Sequence, residues 1–259
     1  MSLAATLFNS NTTFGPGIEV LGFIAESGSS SANITESFTN GSLPRTLQEN
    51  DLAVAIMVNT DLTANAGESD MVVESSSGAG DYTGSTYASS ENTATTDRCQ
   101  VKIFYKFMGS TPDTQVYVPL VYNGDNDGHN SVIVYFLRNV DTSTPFDVTT
   151  TTATANNVGT ITAPSLTIST QGSLVIQTGN AGGSSMEALS MDDFGTSTSV
   201  PVGFYTQLSD SGNEALSSIA VVNYDKSGTP ALPVFREATT TGALVSMSMA
   251  LRPANPPIY

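Results

Sequence analysis

Val101-Lys102-Ile103-Phe104-Tyr105-Lys106-Phe107 puts Val101, Ile103, Tyr105 and Phe107 on one side of an extended chain and Lys102 and Lys106 on the other. Successive strand side chains point to opposite faces, whereas an amphipathic helix needs apolar residues three and four positions apart. The stretch therefore reads as a strand. The run Ala243 to Leu251 repeats the pattern, with Leu244, Ser246, Ser248 and Ala250 opposed to Val245, Met247, Met249 and Leu251. Strands of this kind have one buried and one wetter face, as in two packed sheets.

Composition agrees with β structure. The chain of 259 residues carries 33 Ser and 34 Thr against only 8 Lys plus Arg, so strong helix formers are scarce. Short apolar runs recur between Gly, Pro, Asn, Asp and Ser, among them Leu52 to Val58, Val132 to Leu137, Leu174 to Ile176 and Ser218 to Tyr224. None approaches the roughly 20 consecutive apolar residues of a membrane-crossing helix. The net charge of −16 disfavours nucleic acid, whose binding draws on cations that neutralise phosphates. It disfavours anionic lipid for the same reason. The expected partners therefore include neither nucleic acid nor membrane. No secretory leader is evident, the first basic residue being Arg45. The expectation is synthesis in a cytoplasm.

The expected fold class is all-β: an antiparallel two-sheet β-sandwich, jelly-roll or Greek-key-like, with internal pseudo-duplication. Asn50 to Ile56 is echoed by Gln171 to Ile176, and the run ending Leu137-Arg138-Asn139-Val140 by the one ending Ala250-Leu251-Arg252-Pro253. Both halves are expected within one sandwich, with the polar stretches 61–97 and 149–160 as surface loops or edge strands. Asn123-Gly124 and Asp127-Gly128 suit tight turns and predict a hairpin of the Val116 and Val132 runs. One short helix is conceivable, from a capping box at Ser184 and Glu187 to Gly195, with a strand or loop as the alternative.

Candidate chemistry is sparse. Cys99, the only cysteine, abuts a strand and reads as a buried, inert thiol. Asn123, Asp125 and Asp127 resemble the start of a Ca²⁺ loop, but the twelfth position, which should carry Glu, is Val134. A solvated hairpin tip is the expectation, with weak Ca²⁺ binding by Asp125 and Asp127 as the alternative. His129, the only histidine, cannot build a zinc site alone and is expected to be exposed on that loop. Asp192 and Asp193 are adjacent and poorly placed to act as an acid/base pair on one bond; a turn or helix end is expected. Asp210, Glu214 and Asp225 form no constellation. Tyr82, Tyr87, Tyr205 and Tyr224 near loops and strand ends could stack on sugars or anchor a protein interface. No catalytic, cofactor or metal residue is assigned.

Several segments together resemble a β-sandwich domain family of tailed-phage virion and tail-fibre structural proteins. They are Asn50-Asp51-Leu52-Ala53-Val54-Ala55-Ile56, Lys102-Ile103-Phe104-Tyr105-Lys106, Gly109 to Asp113, and Val140-Asp141-Thr142-Ser143-Thr144-Pro145-Phe146-Asp147. Ile161 to Ser165, Gly172 to Val175 and Ala250 to Pro253 complete the set. The resemblance spans about 50–253, and it lacks the Gly-Trp pair usual after the first strand, this chain having no Trp. It implies a non-enzymatic virion subunit without cofactors, such as a capsid decoration, head fibre or tail appendage. Such a subunit contacts other virion proteins and copies of itself as a homo-oligomer.

The corresponding organisation is an N-terminal arm and first strand at 1–49, serving docking or oligomerisation, a sandwich at 50–253 and a Pro-rich tail at 254–259. The alternative function is a carbohydrate-binding, lectin-like module for host surface glycan. A sandwich-fold polysaccharide hydrolase is the least favoured.

Overall fold

The strand β3 (Leu52–Thr60) is buried at all nine positions. Its near-continuous apolar run suits a strand covered on both faces. In the computed structural model, the residues described are 17–28, 33–38, 43–60, 68, 71–91, 98–119, 129–182, 189–193, 204–209, 215–224, 234–237 and 242–255. For the four ranges between 189 and 237 the description covers backbone only. Fifteen strands and no α-helix occur among the described residues.

The first half of the chain supplies β1 (Glu19–Gly28), β2 (Ile34–Ser37), β3, β4 (Thr83–Glu91), β5 (Arg98–Phe107), β6 (Gln115–Val118) and β7 (His129–Arg138). Five of these form one antiparallel sheet in the order β1-β7-β3-β5-β4, and β2 pairs β6 in a separate ribbon. The second half supplies β8 (Phe146–Asn156), β9 (Thr160–Thr162), β10 (Ser173–Gly182), β11 (Leu189–Asp193), β12 (Phe204–Ser209), β13 (Ala215–Tyr224), β14 (Val234–Glu237) and β15 (Ala243–Leu251). Its large sheet runs β12-β13-β10-β15-β8, and β11-β14-β9 form the smaller one.

The two halves are duplicates in topology. Pairing nests in both: β1 with β7, β2 with β6 and β3 with β5, then β8 with β15, β9 with β14 and β10 with β13. Even the register repeats, since Leu52 faces Leu137 as Leu174 faces Leu251. The bridge from Glu74 to Tyr117 of β6 stands where β11 pairs β14. This nesting gives each half a jelly-roll-like winding. One departure recurs in both halves: β4 lies beside β5, and β12 beside β13, within the large sheet.

The two large sheets pack face to face. Val54, Ile56, Val101, Ile103 and Tyr135 of the first meet Ile176, Val245, Met247 and Met249 of the second in one core. Edge β4 lies across from β8, and β1 from β12. The halves are thus related by an approximate two-fold axis running along the strands between the sheets. Equivalent positions meet near that axis: a Cβ built on Gly182 would stand 2.6 Å from Cγ2 of Thr60, its counterpart in the first half.

The outer faces are covered as well, so the wetter face expected for these strands does not exist at the centre. The ribbon and the segments 43–47 and 71–82 cover Ala55, Met57, Val134 and Phe136 of the first sheet. Ile161 and Ala163 cover Leu244, and Leu166 and Ile168 cover Val175 and Ala250. The polar stretches do yield edge strands, β4 and β8. Of residues 1–49, 19–28 and 34–37 are strands within these layers, so the sandwich does not begin at 50.

Two local expectations are corrected. The Val116 and Val132 runs do not form a hairpin: β6 pairs β2, and β7 lies between β1 and β3 in another layer. Alternating Val116 and Val118 serve either partner equally, and topology decides. The second is the helix at 184–195. Leu189–Asp193 is the strand β11, paired to β14 where a tertiary partner outweighs a local cap; the remainder of that stretch lies outside the described residues.

Candidate functional site

The resembling motifs converge at one end of the sandwich, where β3 begins and β7 and β15 finish. Asn50 adopts φ 69°, turning the chain into β3, and Asn139 adopts φ 65° just after β7. Asn tolerates this left-handed region better than most residues. Asp51 follows, 2 % exposed. The Arg138 guanidinium donates to it from Nε at 2.8 Å and from Nη2 at 2.7 Å. The Gln48 backbone N–H donates a third bond at 2.7 Å, and Arg138 also reaches the Thr46 carbonyl at 2.9 Å. The fork matches a planar carboxylate in both bonds. Its partner holds the guanidinium above its usual pKa.

Beside this pair lies an open, polar groove of about 450 Å³, lined by Gln48 to Asp51, Arg138 to Thr142 and Ala254. The two halves are stitched together here. Val140 bridges Pro253, Asp141 N–H donates to the Arg252 carbonyl at 2.9 Å, and Ala254 N–H donates to the Asn139 carbonyl at 2.7 Å. Asp141 holds its own turn, accepting from the Ser143 and Thr144 backbone, and these bonds lower its pKa. The groove's charged groups other than Glu49 are thus engaged internally, and no aromatic side chain lines it.

The second arginine, Arg252, occupies the place of Arg138 but takes a different carboxylate. Asp147, with a fully buried side chain, accepts from the backbone and hydroxyl groups of Ser169 and Thr170 and lies 3.4 Å from Arg252 Nη2. Burial pushes its pKa up, but the Thr170 and Ser169 bonds outweigh that and hold it below the ordinary value. A carboxyl depressed in the folded state stabilises above its unfolded pKa, and that contribution disappears as pH falls through the lowered one. Stability should therefore decline as pH drops below about 4. Asp147→Asn should flatten that slope in urea titrations at stepped pH; an unchanged slope would assign acid sensitivity elsewhere.

A third charged centre fixes the outer layer. Lys106 Nζ lies 2.5 Å from Asp81 and 2.7 Å from Asp113, over the Tyr82 ring at 5.7 Å. Asp81 also accepts from Ser75, and Glu74 from the backbone N–H groups of Gly78 and Gly80. These bonds shape the 74–82 loop and pin it to β5.

Among the singled-out residues, Cys99 is buried as expected, and burial raises its thiol pKa. His129 is a half-buried first residue of β7 opposite Thr60, not an exposed loop residue. Asp192 and Asp193 lie in strand β11 rather than at a turn or helix end. Tyr82 is buried, and burial, then Asp113 and Asp81, raise its pKa. Tyr87 is half-buried, its hydroxyl accepting from Gln100 at 3.1 Å. Tyr205 and Tyr224 fall on β12 and at the end of β13. Asn123, Asp125, Asp127, Asp210, Glu214 and Asp225 lie outside the described residues. No cluster of three metal-ligating side chains occurs among the described residues. Sequence reasoning missed the three ion-pair centres; charged residues inside apolar strand motifs were the available signal. No family model, curated protein or solved structure matches this chain.

Proposed function

We propose that this chain is a non-enzymatic structural subunit on the exterior of a tailed-phage particle, made in the host cytoplasm and working through contacts with other virion proteins and with itself. One observation carries this reading. The charged residues of the resembling motifs are used up in locking turns between strands: Asp51 with Arg138, Asp113 with Lys106, Asp147 with Arg252. A motif spent on architecture suits a role in which the surface itself is the product. The acidic charge suits a surface displayed at high density. Jelly-roll windings recur in capsid and lectin domains, a fold-level analogy only.

The glycan alternative gains nothing from the end groove, which lacks an aromatic platform. Immunogold labelling of purified particles tests the proposal. The expected result is surface labelling at a reproducible copy number. Absence of the chain from particles whose host makes it abundantly would end the reading, and saturable binding on a glycan array would favour the lectin instead.

A further inference from the structure

Exposed sheet edges offer unpaired N–H and C=O groups, and proteins ordinarily blunt them with charge, bulges, Pro or shortness. Of the four edges of the two large sheets, three are blunted along most of their length. β1 carries Glu19 and Glu26 and a register break between Val20 and Gly22. β4 has a break between Gly84 and Tyr87 and ends on Glu91. β12 is six residues long.

β8 is the least protected, because its two register breaks with β15 fall between Phe146 and Thr151 and its one charge is Asp147, leaving the rest of the strand bare. It runs 11 residues, and from Val148 to Asn156 it holds no ionisable residue, Pro or Gly. Its register with β15 is regular from Thr151 to Asn156. Thr149, Thr152 and Thr154 are exposed. Asn157 N–H donates to the Gly242 carbonyl, which in this register makes Ala155 with Leu244 and Ala153 with Ser246 hydrogen-bonded pairs whose backbone groups face β15. Backbone groups alternate along a strand, so Thr152 and Thr154 present theirs outward.

We propose that β8 is a self-association edge, at which a second copy of this chain adds its own β8 antiparallel and joins two five-stranded sheets into one. The proposal deepens the assembly reading above and rests on it only for the need to self-associate. A second copy is the occupant for two reasons. Two chains of net charge −16 approach with least repulsion where neither carries charge. A strand meeting its own image about a two-fold axis is also self-complementary. Centred on Ala153, within the regular stretch, that pairing sets Thr152 opposite Thr154 of the second copy, a cross-strand pair of exposed threonines.

Sedimentation equilibrium of the full chain tests this. The expected species has twice the chain mass, and Thr152→Lys with Thr154→Lys should raise its dissociation constant at least tenfold while circular dichroism and Tm stay unchanged. Should that variant unfold, Thr149→Lys at the same edge replaces it. A wild-type chain that stays monomeric at high concentration overturns the proposal, as does a folded lysine variant that dimerises like wild type. The particle-labelling result is independent of either outcome, so failure of this edge and failure of the virion reading are separable.

Discussion

Gly182→Ala is expected to destabilise the protein by about 3 kcal/mol, the upper part of the range for overpacking a filled core. A Cβ at that position would lie 2.1 Å from the Arg98 carbonyl oxygen and 2.6 Å from Thr60 Cγ2. The first contact is backbone and cannot swing aside, so the sheets must separate locally. For a domain of this size the loss corresponds to a fall in Tm of roughly 6–12 °C. Thr60→Gly in the same background should recover part of it by removing the second clash. Thermal unfolding of the wild type and the two variants checks this, and a Gly182→Ala protein with wild-type Tm would show that the sheets do not meet as described. The cause is the duplication itself: equivalent positions meet at the pseudo-axis, and there is room for one side chain there, not two.

Asp51→Ala should cost about 3 kcal/mol, because removing one partner of a largely buried ion pair strands the other. Arg138 would lose both carboxylate bonds, and the Gln48 N–H its acceptor. Arg138→Lys keeps the charge but not the fork and should cost less, about 1–2 kcal/mol. The comparison that gives these numbers meaning is Arg45 with Glu19, whose side chains are 57 % and 35 % exposed. Breaking that pair should change stability by less than about 0.5 kcal/mol. Urea unfolding of the set separates the cases; equal losses at both pairs would contradict the burial argument.

The sheets were legible where apolar runs were long. Leu52 to Val58 and Ala243 to Leu251 announce central strands without any partner being known. The repeat was legible too, because the turn before β3 and β10 and the arginine after β7 and β15 recur in the sequence. Pairing was not legible, since β2 and β6 or β9 and β14 lie far apart in the chain and a strand's pattern does not name its neighbour. The Val116 hairpin failed for that reason. The ion pairs were hidden likewise: Asp51 and Arg138 are separated by 87 positions. A short stretch such as Leu189 to Asp193 suits helix and strand alike until a tertiary contact decides.

The division of the chain into one sheet per half governs how it is made. Emerging from the ribosome, the first half has all the strands of its own large sheet once Arg138 is synthesised. The face bearing Val54, Ile56, Ile103 and Tyr135 must then wait for Ile176, Met247 and Met249. β15, which supplies two of those three and lies inside the second sheet, is the last of the described strands to be translated. Until it arrives, an apolar sheet face stands bare, a condition that invites aggregation. Newly made chains should therefore depend on chaperones, or on slow elongation beyond residue 138, far more than the finished protein's stability would suggest.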